Sequence, residues 1–437
     1  MSERKRLLPL FFPIFLELLF LMLTGAVDTL MLATEGDQAV GAVGTANTYI
    51  HLFLIMFSVI SSGMMAVMTQ YIGAGRPGVA RQALRLGLLV NLVAGVIIGF
   101  VLCVGAEMIL TTAGIARDLV EPACVYLRTV GFFSFCSAIT PIYSSYLRAF
   151  GHTAATLTGT VLSNLVNVAL NALFLFSMDM GVYGVALATG ISRLVNLVWV
   201  WAAASWFIKP AVEEPRPKNK EILRKILRVG LPGATETVLY NIAMAIVISL
   251  LNRMDSTGAQ VTARAYANQI CNFSFCVGGA LAQANAILVG WRIGANELEE
   301  CDRETRRNAL VGMGAGVAMA GVIALLSEPI LSLFTKDPEM IRLVGILLTV
   351  DVVLEVGRVT NLVFGYALKT SGDAVFPMAI AAVFMFLFAA GGTWFFGVRL
   401  GWLAVGAYVG LALDECVRAV FMFLRWRQGR WKKCGLL

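Results

Sequence analysis

The sequence predicts an all-α integral membrane protein with twelve transmembrane helices, arranged in two pseudo-symmetric six-helix lobes around a central cavity. Three observations predict this fold. Hydrophobic residues make up 58% of the chain and charged residues only 14%, against roughly 25% charged in a soluble domain. Stretches such as 86–106 and 153–178 carry no charge and are long enough to cross a hydrocarbon core of about 30 Å. The third observation is an internal repeat.

Short motifs of the first half return, in the same order, at offsets of 219 to 221 residues. The matched positions are Pro13 and Glu17 with Pro232 and Glu236, Ala46-Asn47 with Ala267-Asn268, Ile72-Gly73-Ala74 with Ile293-Gly294-Ala295, Leu147-Arg148 and Gly151 with Leu368-Lys369 and Gly372, and Gly181 and Val185 with Gly401 and Val405. Five matches in one order indicate a duplication. Duplicated halves in a membrane protein are typical of secondary transporters.

Charged and Gly/Pro-rich breaks divide the chain into twelve predicted spans. They lie near 7–33, 46–74, 83–111, 118–147, 153–178, 183–208, 222–252, 259–291, 304–327, 339–368, 374–397 and 402–425. Segment 209–221 has three prolines and seven charges in thirteen residues, which predicts a solvated linker. The predicted domains are an N-lobe at 1–208 with helices 1–6, this cytoplasmic linker, and a C-lobe at 222–437 with helices 7–12 and a short cytoplasmic tail.

Basic residues concentrate at both termini, in the linker and in every second loop, as with Arg4, Lys5 and Arg6. The positive-inside rule therefore predicts that both termini and the linker are cytoplasmic. Six spans per half then give the two halves the same orientation, so the repeat is parallel. We expect a multi-pass protein of the cell (plasma) membrane. The net charge of +7 follows from this topology and does not indicate a nucleic-acid partner.

Polar side chains inside spans are candidate functional residues, because burying them is costly. Asp28 in span one has no basic residue within a helical turn, so it must bind a cation or take a proton unless it lies near the outer interface. Asn164, Asn167 and Asn171 share one face of span five, which can bond across helices or offer carbonyl oxygens to a cation. Thr189 in span six can bond its own backbone.

The second half contributes a further group of ionisable candidates. Glu236 lies near the start of span seven without an evident local partner, and it stays open as a substrate or proton site. Spans ten and twelve carry the sets Asp351, Glu355 and Arg358, and Asp414, Glu415 and Arg418. Their spacings suit ion pairs within each helix, Glu355 with Arg358 and Asp414 with Arg418, and such pairs favour a structural role.

Residues 27–32 (Val-Asp-Thr-Leu-Met-Leu) and 36–47 (Gly-Asp-Gln-Ala-Val-Gly-Ala-Val-Gly-Thr-Ala-Asn) resemble the first-helix signature of multidrug and toxic compound extrusion (MATE) transporters. Residues 72–75 (Ile-Gly-Ala-Gly), 147–152 (Leu-Arg-Ala-Phe-Gly-His) and 368–373 (Leu-Lys-Thr-Ser-Gly-Asp) are similar to later loop motifs of that family. The resemblance extends from about residue 7 to 428. It implies two six-helix lobes, a central cavity that opens alternately to each side, and export of organic cations and amphipathic compounds in exchange for sodium ions or protons.

The resemblance also implies site residues. Asp28, Asn167 and Thr189 match the family's N-lobe ion site, and the fourth position falls on Asn171. This amide replaces a carboxylate, and the lower charge leaves the choice of ion open. Glu236 is the nearest match to a C-lobe glutamate of the family. Asn47, Asn164, Glu355 and Arg358 are further substrate or proton candidates, although the family gives no role to the charged sets of spans ten and twelve.

We therefore expect a secondary active antiporter with a small-molecule substrate, surrounding membrane lipids, no resident cofactor, Na⁺ or H⁺ as coupling ion and no metal site other than Na⁺ at Asp28. We expect a monomer. The alternative is a lipid or polysaccharide-precursor flippase of a related fold, which needs a strongly basic cavity. The in-span arginines Arg128, Arg193, Arg358 and Arg418 are sparse for that role. We expect no enzyme, because the chain has no HExxH, DDxxD or Gly-x-Ser-x-Gly motif, and no Walker loop.

Overall fold

The computed structural model of the protein describes residues 7–112, 115–209, 215, 217–255, 257–332 and 334–437. These residues form α-helices without a strand among them. In chain order the helices are α1 (Leu7–Leu32), α2 (Asp37–Gly73), α3 (Pro77–Thr112), α4 (Arg117–Phe132), α5 (Ser134–Ala149), α6 (Thr153–Ala172), α7 (Gly181–Phe207), α8 (Asn219–Met254), α9 (Ala259–Gly294), α10 (Leu298–Leu325), α11 (Ser327–Leu331), α12 (Pro338–Ser371), α13 (Val375–Phe384) and α14 (Leu403–Arg427). The segments Leu173–Ser177, Met385–Ala390 and Thr393–Arg399 continue α6 and α13 as π-helical turns.

Twelve helical segments correspond to the twelve predicted spans. Within the described residues, nine helices are long and apolar enough to cross a membrane, and the bent pair of α4 and α5 makes a tenth. The remaining two, α12 and α14, each carry one of the charged sets that the sequence places on spans ten and twelve. The all-helical, twelve-span fold is thus the predicted one. The predicted linker at 209–221 falls partly outside the described residues, as do Arg4, Lys5 and Arg6.

Span four is broken, with α4 and α5 meeting at an angle of 47°. The break lies at Phe133 and not at Pro141, which continues inside α5. The Phe133 ring packs directly on Gly190 of α7, where an added Cβ would lie 2.1 Å from the ring. A residue with any side chain at position 190 would therefore collide with the bend.

The glycines repeated between the halves end corresponding helices. Gly151 follows α5 with φ of +85°, and Gly372 follows α12 with φ of +98°. Glycine adopts this left-handed conformation without the steric cost that a Cβ imposes, which is why it commonly terminates helices. The duplication therefore preserves the positions where the backbone must turn.

The described chain forms two compact units. One comprises Phe12–Gly230, which we call the N-terminal unit, and the other comprises residues 7–11 with Leu231–Leu437, which we call the C-terminal unit. The division falls at Gly230, beyond the predicted linker, and the start of α1 belongs to the unit that contains the second half of the chain. Helices α1 and α8 are each divided between the units.

Close backbone packing explains why the start of α8 belongs to the N-terminal unit. A Cβ at Gly63 of α2 would lie 2.0 Å from the carbonyl oxygen of Ile226, and a Cβ at Gly230 would lie 1.9 Å from that of Val59. Two glycines thus allow α2 and α8 to touch backbone to backbone. In the C-terminal unit, Leu7 and Phe11 of α1 pack against a buried apolar cluster that includes residues of α12 and α14.

Candidate functional site

Asp28 of α1 meets the asparagine face of α6 in the N-terminal unit. The side-chain amide Nδ2 of Asn171 donates to Oδ1 of Asp28 at 2.9 Å and to Oδ1 of Asn167 at 3.2 Å. Asn167 and Asn171 are 4% and 0% exposed. They lie four residues apart on α6 and therefore share one buried face of this helix. Three of the four predicted cation-coupling residues are therefore in one hydrogen-bonded group. Oδ1 of Asn171 is buried and has no hydrogen-bond partner.

Thr189 and Asn47 meet at Tyr126 of α4, a residue that sequence reasoning missed. The Tyr126 hydroxyl donates to Oδ1 of Asn47 at 3.4 Å, and the side chain of Thr189 lies near this hydroxyl. Thr189 also donates to the backbone oxygen of Val185 at 2.9 Å, the bond that a membrane threonine commonly makes. Tyr126 is buried, and Thr189 and Asp28 are both among the groups that surround its hydroxyl.

Arg193 brings a positive charge to the same region. It lies four residues after Thr189 on α7 and donates to the hydroxyl of Ser137 at 3.1 Å. It also interacts electrostatically with Asp28. The expectation that Asp28 has no basic neighbour holds only within α1, since a positive charge reaches it from a distant part of the sequence.

Asn164 is the member of the asparagine face that does not join the group. Its Nδ2 donates to the backbone oxygen of Phe20 at 3.3 Å, so it ties α6 to α1 one or two turns away from Asp28. This is the interhelical bonding role that the sequence left open for the whole face.

A buried ion pair nearer the start of α1 holds this helix in the N-terminal unit. Glu17 accepts from Arg148 of α5 at 2.8 Å and from the Thr156 hydroxyl of α6 at 2.8 Å. In the C-terminal unit, Glu236 of α8 pairs with Lys369 of α12 at 3.2 Å. The two pairs occupy matching positions of the repeat. The partner that the sequence did not reveal for Glu236 is therefore supplied by the fourth helix of its half.

The C-terminal unit contains a cavity of about 450 Å³. Its walls come mainly from α8, α9, α12 and α14, and they include Glu236 and Arg358 of the predicted candidates. Glu355 lies behind this wall with 0% exposure. A cavity of this size suits a small organic ligand.

Two charged sets adjoin the cavity, and both ion pairs predicted from helical spacing are present. Arg358 pairs with Glu355 and lies 3.5 Å from Asp351. Arg418 pairs with Asp414 and with Glu415, at 2.7 Å each. Each set thus places two carboxyl groups around one guanidinium, so the ionised sets would each be one charge negative.

Further polar contacts hold these sets in place. The Ser274 hydroxyl of α9 lies 3.3 Å from Oε1 of Glu355, and Nδ2 of Asn361 donates to Glu415 at 2.8 Å. Oε2 of Glu355 is buried without a hydrogen-bond partner. Among the residues that the structure describes, no group of three or more His, Cys, Asp or Glu side chains is placed to hold a metal ion.

Comparison with known proteins places these sites in context. The MatE family model matches residues 13–173 and 232–394, which are the two halves of the repeat. The chain is 30% identical to "Uncharacterized transporter YisQ" of Bacillus subtilis (strain 168) over 98% of its own length and 95% of that protein. It is 25% identical to "Probable multidrug resistance protein NorM" of Thermotoga maritima, over 99% of its length and 94% of that protein.

Solved structures agree on the fold. One described as "Crystal structure of MATE in the straight conformation" superposes with a TM-score of 0.90 at 20% identity, covering 98% of this chain and 96% of that one. Another, "Outward-facing conformation of a multidrug resistance MATE family transporter of the MOP superfamily", gives a TM-score of 0.89 with the same identity and coverage. The twelve-helix, two-lobed fold expected from the sequence is that of these structures.

Proposed function

Because the chain belongs to the MATE family of multidrug efflux transporters, we propose that it is a secondary active antiporter that exports organic cations or amphipathic compounds in exchange for a cation. The observation that supports this most directly is the group of Asp28, Asn167 and Asn171 inside the membrane-spanning helices. A membrane-buried carboxylate is retained at a cost in free energy. Binding and release of a coupling ion at this carboxylate would explain why it is retained despite this cost.

We propose Asp28 as the coupling residue. Asn167 and Asn171 would orient its carboxylate, and Tyr126 would transmit the charge state of Asp28 to Thr189. Export would then follow alternating access, in which the ion and the substrate stabilise different conformations. A ligand can shift such an equilibrium only by its difference in affinity for the two states. Neutralising Asp28 would remove that difference for the ion.

Of the two candidate ions, the arrangement favours the proton. Asn171 presents its N–H to Asp28, so a sodium ion would require this amide to rotate and offer its oxygen. Asp28 is also the single carboxylate of this hydrogen-bonded group. A proton needs one carboxylate oxygen, whereas a metal cation needs several oxygen ligands.

The test is export of ethidium, a fluorescent organic cation, from proteoliposomes under a pH gradient and, separately, a sodium gradient. We expect the pH gradient alone to drive export, and Asp28→Asn to abolish it while leaving ethidium binding in place. Glu107→Gln is the matched control, because Glu107 is an exposed acid of the same unit with a 71% exposed side chain. Unchanged export by Asp28→Asn would refute the coupling site. Export driven by sodium alone would refute the proton assignment only.

A further inference from the structure

Arg264 of α9 is the cavity-lining cation without a carboxylate partner. Its side chain lines the cavity of the C-terminal unit, its Nε is buried without a hydrogen-bond partner, and its Nη2 lies 3.7 Å from the sulfur of Met244. Within the described part of the chain, no carboxylate oxygen lies within 4.0 Å of this guanidinium. A thioether is a weak acceptor, so Nη2 of Arg264 has only a weak acceptor and its buried Nε has none.

The other three cations that line the cavity each pair with one or two carboxylates. Lys369 pairs with Glu236 at 3.2 Å, and Arg418 pairs with two carboxylates at 2.7 Å. Arg358 pairs with Glu355 and lies 3.5 Å from Asp351. Among the described residues that line the cavity, Arg264 is therefore the cation without a carboxylate within 4.0 Å.

A guanidinium inside a membrane-spanning helix is costly unless an anion compensates it. Its planar set of five N–H donors matches a carboxylate or a similar oxyanion in two parallel hydrogen bonds. Since none of the described residues places such a group within 4.0 Å of Arg264, the complementary group would come with a ligand.

Along α9, the lining of the cavity changes from polar near Arg264 to apolar farther along the helix. Arg264, Asn268, Asn272 and Phe275 line the cavity along one face of α9, over a length of roughly 16 Å at 1.5 Å per residue. Asn268 lies one turn from Arg264 and offers a further amide donor. Beyond it, aromatic side chains such as Phe275 suit the apolar body of a ligand.

We propose that this cavity binds an amphipathic organic anion, with a carboxylate or similar oxyanion on Arg264 and an apolar body along Phe275 and the neighbouring aromatic wall. The inference rests on the proposed export function and specifies part of the substrate class. Among the amphipathic compounds of the proposed substrate class, it specifies those that carry an acidic group.

The experiment compares dansylglycine with its methyl ester, two probes that differ in one carboxylate. Purified full-length protein in nanodiscs is titrated with each probe, and dansyl fluorescence is corrected with protein-free nanodiscs. Charge-assisted hydrogen bonds of this kind contribute enough to change affinity by about tenfold or more. We therefore expect Arg264→Gln to weaken binding of the acid by at least about tenfold and to change binding of the ester by less than about twofold.

Two further variants separate a binding role from a structural one. Arg264→Lys keeps the charge but loses the planar fork, so it should recover part of the affinity for the acid. Arg342→Gln removes an exposed arginine of α12 and should leave both probes unaffected. Absence of saturable binding of the acid to the wild-type protein would overturn the inference, as would equal loss of both probes or unchanged affinity in Arg264→Gln.

The same measurements keep the two proposals apart. Binding needs no ion gradient, so selective binding of the acid together with failure of gradient-driven ethidium export would contradict antiport and support the anion site. Normal ethidium export without the selective effect of Arg264→Gln would do the reverse.

Discussion

Replacing Glu17 by Gln should destabilise the N-terminal unit strongly. The carboxylate of Glu17 and the guanidinium of Arg148 lie 2.8 Å apart with side chains only 8% and 18% exposed, and Glu17 also accepts from Thr156 at 2.8 Å. Removing one partner of a buried ion pair costs about 3–5 kcal/mol. The corresponding Glu236→Gln change affects a looser pair at 3.2 Å with 20% and 19% exposed side chains, so we expect about 1 kcal/mol there.

The free energy of unfolding can be measured by titrating SDS into mixed micelles and following tryptophan fluorescence. The set of variants is Glu17→Gln, Arg148→Gln, their double variant and Glu236→Gln as the matched control. We expect the double variant to be less destabilised than the sum of the two single variants, because both changes act on the same ion pair. The reasoning is refuted if the effects simply add, or if Glu17→Gln costs no more than Glu236→Gln.

Two further changes test helix packing. Gly230→Ala places a methyl group 1.9 Å from the backbone oxygen of Val59, so we expect a loss of at least about 3 kcal/mol in the free energy of unfolding in the same assay. The control is Gly44→Ala, where nothing lies within 4 Å, and it should be neutral or stabilising by up to about 1 kcal/mol. Equal effects of the two substitutions would contradict the close contact. Asn91→Ala removes a buried amide that donates to backbone oxygens of α2 and α5 at 3.2 and 2.9 Å. It should lower the free energy of unfolding by about 1–3 kcal/mol. A loss below about 0.5 kcal/mol would show that these hydrogen bonds contribute little.

The features that could be predicted from the sequence depend on residues close together in the chain. The spans follow from composition, and the Glu355–Arg358 and Asp414–Arg418 pairs follow from spacings of three and four residues on one helix. The duplication also predicted the two-lobed fold. In each case the relevant geometry is fixed by a single helix or by the repeat itself.

The features that could not be predicted depend on contacts between distant helices. Glu236 lacked a local partner because Lys369 reaches it from 133 residues away. Arg193 approaches Asp28 from α7, and Tyr126 joins Thr189 to Asn47 from α4. Span four breaks at Phe133 and not at Pro141, because tolerance of a proline inside a helix depends on the surrounding packing.

The sequence alone also gave no reason to select Arg264, and it did not figure among the in-span arginines. An arginine five residues inside a helix would ordinarily reach the interface and stay solvated. Its importance appears only when the carboxylates around the cavity are assigned to their partners and Arg264 is left over. That assignment requires the positions of all four cations.

The division of α1 and α8 between the units has a consequence for how such a chain could have originated. A fragment that ended before α8 would lack the segment whose backbone packs on Gly63, and the complementary fragment would lack Leu7 and Phe11. Exchange of an equivalent element between two copies is domain swapping. Two separate halves that exchanged these segments would assemble in a concentration-dependent way, whereas their fusion in one chain makes the same contacts independent of concentration.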